Sequence, residues 1–101
     1  MWHIVAFDLP VDDKAQQKIY RTFRKKLLEA GYHALQKSIY YRWFDSSDKA
    51  QSSQNKLLDI PPPNGDVFTL CVSDSSLLNS LHITDSIIVP PPNAPEQWLL
   101  F

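Results

Sequence analysis

Trp2-His3-Ile4-Val5-Ala6-Phe7-Asp8-Leu9-Pro10 decides how the remainder of the chain folds. Its first seven residues are mostly apolar and include β-branched Ile4 and Val5, the composition of a buried strand. Pro10 has no amide hydrogen to give a ladder and biases Leu9 away from helix. The strand is therefore expected to stop near Asp8, leaving a carboxylate at its C-terminal end. The stretch has neither the basic leader nor the apolar length of a secretory signal. No segment approaches the ~20 apolar residues of a membrane span, and a cytoplasmic location is expected.

Downstream, Asp12 or Asp13 supplies an N-cap for a helix running to about Ala30, with Gly31 as its stop. Ala15, Ile19, Phe23 and Leu27 recur at i, i+4 and form the expected core stripe. Lys14, Lys18, Arg21 and Lys25 recur at +4, +3 and +4 and fall nearly opposite that stripe, a basic ridge facing solvent. Residues 32–44 are rich in aromatic and β-branched side chains and predict strand. They fit either a short strand over 34–36, a corner at Lys37-Ser38 and a longer strand over 39–44, or one continuous bent strand.

Asp45, Ser46 and Ser47 carry capping chemistry for a second helix over about 46–59. Its thin apolar face, Ala50, Leu57 and Leu58, makes it the more exposed helix. Pro61-Pro62-Pro63-Asn64-Gly65 ends it. Residues 67–73 read as a central strand, and Asp74-Ser75-Ser76 as the cap of a single turn through Leu81. Residues 82–89 read as a last strand. This order predicts an α+β fold with helices packed on one face of an antiparallel sheet.

Of 101 residues, 44% are hydrophobic and 21% charged, the composition of one soluble globular domain. Three Trp, four Tyr and five Phe argue against a disordered chain. The net charge of −1 conceals an asymmetry: residues 1–42 hold eight Lys and Arg against four acids, whereas residues 43–101 hold two against seven. The basic half is thus free to meet a polyanion despite the near-neutral total. The single cysteine, Cys71, excludes an internal disulfide and sits in an apolar run, as a small hydrophobe does.

Asp8 is the first candidate site residue. Divalent magnesium prefers several hard oxygens, so a second acid is required. Asp12 and Asp13 are candidates, and in a twofold dimer the partner's own Asp8 serves equally well. The same carboxylate also suits a plain turn. The ridge binds phosphates without sequence preference, or is an ordinary solvated helix face. Tyr32, Tyr40, Tyr41, Trp43 and Phe44 offer stacking platforms for bases, although strand alternation sends about half of them to the core. His3, His33 and His82 lack metal-ligand spacing and are assigned structural or surface roles. Dinucleotide, P-loop and nucleophile-elbow motifs are missing.

Three segments together carry a resemblance to the CRISPR-associated Cas-two family. Ile4-Val5-Ala6-Phe7-Asp8-Leu9-Pro10 looks like its opening strand ending in aspartate. Arg21-Thr22-Phe23-Arg24-Lys25-Lys26-Leu27 followed by Leu28-Glu29-Ala30-Gly31-Tyr32 is similar to its first helix and glycine stop. Gln36-Lys37-Ser38-Ile39-Tyr40 is similar to its Gln-x-Ser-Val-Tyr stretch. Pro62-Pro63-Asn64-Gly65-Asp66-Val67 and Ser73-Asp74 also fit, and coverage runs from residue 2 to about 89.

The resemblance implies a ferredoxin-like βαββαβ domain over residues 1–89 with an extra C-terminal strand. It further implies a twofold homodimer in which the last strand of one protomer commonly joins the sheet of the other. Mg²⁺ between paired aspartates, here Asp8 from each chain, is implied as well. Two activities follow for such proteins: metal-dependent cleavage of RNA or duplex DNA, and a non-catalytic bridge between Cas-one integrase dimers with the prespacer lying across it. On this basis Asp8 is the expected catalytic and metal residue, and Lys14, Lys18, Arg21, Arg24, Lys25, Lys37 and Arg42 are the expected nucleic-acid contacts. A toxin-type mRNA ribonuclease of the same fold and a chemically inert adaptor are the rivals.

Residues 90–101 form a proline-rich tail ending in Trp98-Leu99-Leu100-Phe101. A tail this apolar is expected to dock on the Cas-one partner or the dimer mate. Deleting 93–101 is predicted to weaken one of those associations, and an unchanged complex on gel filtration would sink the idea.

Overall fold

β1 (Trp2–Asp8) runs up the middle of a four-stranded antiparallel sheet, between β3 (Ile39–Trp43) and β4 (Asp66–Val72), with β2 (His33–Gln36) outside β3. The structure is a computed structural model and describes residues 1–57, 65–84 and 87–89. Helix α1 (Lys14–Glu29) connects β1 to β2, and α2 (Ser47–Leu57) lies between β3 and β4. The resulting βαββαβ order, with strands arranged β2-β3-β1-β4, is the ferredoxin-like arrangement that the resemblance implies.

Alternation along β1 sorts the molecule into layers. Val5, Phe7 and, just beyond the strand, Leu9 point to the helix side and are buried with Phe23, Leu27, Tyr32 and Tyr40. Phe7 meets Phe23 edge-on at 5.0 Å between ring centroids and stacks on Tyr40 at 5.7 Å. These aromatic pairs add to the area they remove from water.

α1 is capped as its sequence predicts. Asp13 Oδ1 accepts from the Gln16 amide at 2.8 Å, while Gln16 Oε1 accepts from the Asp12 amide at 2.8 Å. At the far end Gly31 adopts φ +89°, and the Gly31 and Tyr32 amides donate to the Leu28 and Leu27 carbonyls. That left-handed stop is the reason for glycine there. The core stripe is shorter than the i, i+4 pattern suggests: Phe23 and Leu27 are buried, Ile19 is half-buried and Ala15 is exposed. Tyr20 covers Phe7 and donates its hydroxyl to the Lys37 carbonyl.

The two-strand alternative for residues 32–44 is the one observed, with a register shift between Ala34 and Gln36. α2 buries only Ala50, as its thin apolar face implies. The short helix α3 (Asp74–Leu78) is capped by Ser73, one residue before the expected cap, and buries Leu77. Residues 82–89 do not form the single strand expected of them. They form β5 (His82–Thr84) and β6 (Ile87–Val89), paired antiparallel in a sheet of their own. Two β-branched runs flanking Asp85-Ser86 satisfy hairpin chemistry as well as strand chemistry, and only pairing distinguishes the two. Among the described residues no helix is long and apolar enough to cross a membrane.

Among the described residues His3 is the one charged or polar residue that is buried, at 0% exposure. Its Nδ1 lies 2.5 Å from Tyr32 Oη, which lies 2.6 Å from Ser53 Oγ, and its Nε2 has no partner among the described residues. Burial lowers the imidazole from 6.5 to about 4. The unfolded chain therefore binds a proton below about pH 6.5 that the native state refuses until about pH 4. Stability is unaffected by this group above that window and is lost as pH falls through it. Urea unfolding is predicted to show wild type losing about 2–3 kcal/mol more than His3→Gln between pH 7.5 and 4.5. Identical pH dependences would remove His3 from the account.

Candidate metal and nucleic-acid site

The antiparallel register sets Asp8, the last residue of β1, directly opposite Asp66, the first residue of β4. Both side chains are exposed, and with Pro10 and Gly65 they line a shallow depression at that end of the sheet. Gly65 makes the approach possible. A Cβ there would run into Leu9 Cδ2 and lie 3.1 Å from the Asp8 carbonyl oxygen. Because Leu9 is buried in the core, β4 must begin against it, and the backbone at residue 65 has no room for a side chain.

Two like charges directly opposite on a sheet destabilise it by a few tenths to about 1 kcal/mol. Neither carboxylate makes an ion pair among the described residues. The arrangement thus concentrates negative charge without internal compensation, and the donor set is all hard oxygen. That is the set a Mg²⁺ ion takes, completing its shell with water and phosphate. Within one protomer the described residues bring no three His, Cys, Asp or Glu together. Asp12 and Asp13 therefore do not complete a cluster with Asp8; Asp13 is spent as the α1 cap. Asp66 is the acid that sequence reasoning missed. Its one local signal is position: it opens a strand immediately after a glycine, as Asp8 closes one before Leu-Pro.

The same register defines the sheet face away from the helices. Cross-strand partners share a face, so Ile4 with Tyr41 and Leu70, and Ala6 with Ile39 and Phe68, lie on the face that carries Asp8 and Asp66. Phe68 is 65% exposed and Leu70 37%. Trp2 is buried on this face and packs against Tyr41 at 5.2 Å, and Trp43 Nε1 donates to Asp74 Oδ1 at 3.1 Å. Beyond that corner the face is largely apolar, and no described residue covers Phe68.

The expected cations do not form one group. Lys14, Lys18, Arg21 and Lys25 are all exposed on α1, on the side away from buried Phe23 and Leu27. The ridge therefore exists as a surface, separated from the open sheet face by the helix layer and the sheet. Lys25 shares it with Glu29 at 3.9 Å. Arg24 turns inward to donate Nε to Tyr40 Oη at 2.7 Å, and Lys37 is exposed in the β2–β3 turn. Arg42 is held elsewhere: Nη1 donates to the Ala30 carbonyl at 2.6 Å, and its guanidinium lies 4.6 Å from the Phe44 ring centroid.

Of the five aromatic platforms, Tyr32, Tyr40 and Phe44 are buried, leaving Tyr41 and Trp43 half-exposed. Cys71 is half-buried on β4, its Sγ 3.4 Å from Gln54 Oε1, and burial pushes the thiol up. Trp98, Leu99, Leu100 and Phe101 lie outside the described residues.

Comparison with known proteins supplies the family. The family profile described as CRISPR associated protein Cas2 matches residues 1–79. A protein of Parvibaculum lavamentivorans named CRISPR-associated endoribonuclease Cas2 is 33% identical over 101 residues, covering all of both chains. A protein of the same name from Paracidovorax avenae is 31% identical over 101 residues, covering 100% of this chain and 94% of its own. Another from Acidovorax ebreus is 41% identical over 71 residues, 70% of each chain. With the ferredoxin-like sheet, the aspartate closing its first strand and a family match over most of its length, this chain belongs to the CRISPR-associated Cas2 family.

Proposed function

We propose that the chain is a cytoplasmic subunit of CRISPR spacer acquisition that works as a twofold homodimer, binds duplex DNA along the α1 ridge, and hydrolyses phosphodiesters at Asp8. The observation that carries this reading is the position of Asp8 and Asp66 at the end of a largely apolar sheet face on which no described residue covers Phe68. A second copy seated on that face removes Phe68 and Leu70 from water. With the twofold axis at the acidic end, it brings its own Asp8 and Asp66 to the same place. Four carboxylates then face a shared space, enough to hold Mg²⁺ with phosphate and water. Bound there, the ion supplies charge neutralisation at phosphorus and a more acidic water. Asp8 and Asp66 orient that assembly, and the sheet beneath holds both fixed. The name endoribonuclease borne by its relatives makes RNA the first substrate to try.

The ridge supplies a separate capability. Its four cations contact phosphates on the opposite side of the molecule, so binding carries no requirement for the carboxylates. Such a dimer can lie along a duplex and bridge Cas-one integrase dimers whether or not it cuts.

Assays with Mg²⁺ on single-stranded RNA and duplex DNA are predicted to show cleavage by wild type that is lost in Asp8→Asn and in chelator, with duplex binding retained. The double variant Lys18→Glu/Arg21→Glu is predicted to weaken duplex binding and lower the salt slope by about two, one per cation removed. Clean wild-type protein that binds but never cuts would leave the scaffold alone. Asp66→Asn is predicted to raise metal-free unfolding stability by about 0.5 kcal/mol through relief of like-charge pairing. The same variant should shrink the thermal shift produced by Mg²⁺, and an undiminished shift would remove Asp66 from the metal site.

A further inference from the structure

A cleft of about 500 Å³ opens between α1 and α2, on the helix side of the sheet and apart from both Asp8 and the ridge. Its size falls within the range of small-ligand sites, roughly 300–1,000 Å³. Phe23, Leu27 and Leu57 give it an apolar floor, and among the described residues no carboxylate lines it. Four cations do: Lys26, Arg42, Lys49 and Lys56, out of ten Lys and Arg in the chain.

Favourable placement at helix ends accounts for part of this set, since Lys26 and Lys56 sit in the last turns of α1 and α2. It does not account for Arg42, which comes from the sheet, or for Lys49, which comes from the beginning of α2. Lys49 is shared with Asp45 at 3.0 Å, and Arg42 is anchored by the Ala30 carbonyl. Lys26 and Lys56 make no ion pair among the described residues. Cations from α1, β3 and both ends of α2 therefore converge above an apolar surface.

The wall of the cleft carries a directed polar group as well. Tyr32 and Ser53 both line it, and they form the outer part of the chain that begins at buried His3. We assign the His3 proton to Nδ1, because an unpaired acceptor at buried Nε2 costs less than an orphaned N–H. Tyr32 then accepts from His3 and donates to Ser53, which leaves the Ser53 hydroxyl hydrogen for the cleft. Burial that keeps His3 neutral holds this polarity across ordinary pH.

From this geometry we infer that the α1–α2 cleft binds a nucleoside phosphate unit, its base on the apolar floor, its phosphate among Lys26, Lys49 and Lys56, and a polar edge or sugar hydroxyl at Ser53. Anionic charge answers the four cations, and a flat, largely apolar ring answers the floor; a nucleotide joins both in one small body. The unit is either a free nucleotide or the terminal nucleotide of a strand. This inference is independent of Asp8 and of cleavage.

Titration of full-length ¹⁵N-labelled protein with AMP and with dTMP tests it. The expected result is saturable shifts of the Ser52, Ser53, Lys26 and Lys56 amides, with adenosine and inorganic phosphate each binding at least about tenfold more weakly. Lys26→Glu/Lys56→Glu, whose side chains are exposed, is expected to lose about tenfold or more in AMP affinity. Lys18→Glu/Arg21→Glu is expected to leave AMP affinity unchanged. A 5′-phosphorylated DNA pentamer run in parallel distinguishes the sources: tighter binding than AMP at the same amides assigns the cleft to strand ends, and equal binding to free nucleotides. Shifts confined to the ridge, equal binding of inorganic phosphate, or no effect of the Lys26/Lys56 variant would each overturn the inference.

Discussion

The register of β1 between its two neighbours is the constraint on which every other feature of the molecule rests. Residues of β1 alternate strictly, so Val5 and Phe7 go to the helices while Ile4, Ala6 and Asp8 go to the open face. A slip of one residue against β4 would exchange those sets, sending Asp8 towards the helix layer and Phe7 into water. Burial of Val5, Phe7 and Leu9 opposes that slip strongly, since large apolar side chains lost from a core typically cost about 3–5 kcal/mol. The hydrophobic side of the strand thereby holds the acidic residue in place on the other side. The like-charge opposition of Asp8 and Asp66 is small beside it and is tolerated for that reason.

Gly65 extends the same constraint across the sheet. Leu9 closes the core just past the end of β1, and β4 begins against it. Any side chain at residue 65 would compete with Leu9 for space, so core packing and the spacing of the two carboxylates are one problem with one solution. A site built this way is stiff, because moving the acids apart means opening the core.

Charge is partitioned by layer. Acid gathers at one end of the open face, whereas the cations of α1 divide between an outward ridge and the rim of the α1–α2 cleft. The helix layer and the sheet stand between the acidic end and those cations. Direct neutralisation is therefore avoided in a chain whose total charge is only −1. A near-neutral protein of this construction can present a strongly anionic and a strongly cationic surface at once, and screening over about 8–10 Å keeps the two from cancelling in solution.

The sequence by itself determined the elements and the class of the fold. Alternation in β1, the Asp13 cap, the Gly31 stop and the α1 ridge are properties of windows a few residues long, and chain chemistry within such windows decides them. Asp8 was legible for the same reason, because Pro10 marks where the strand must end. Tertiary structure alone decided which residues meet. Asp66 became part of the acidic pair only through register with β1, and Arg42 and Lys49 reached the cleft from separate elements. Ala15 stayed exposed although its helical spacing with Phe23 and Leu27 is faultless. β5 and β6 formed in place of one strand because pairing gave two short runs partners in each other. Each of these outcomes depends on burial and pairing between segments distant in the chain, whose energies are summed over the whole core and leave no mark on local composition.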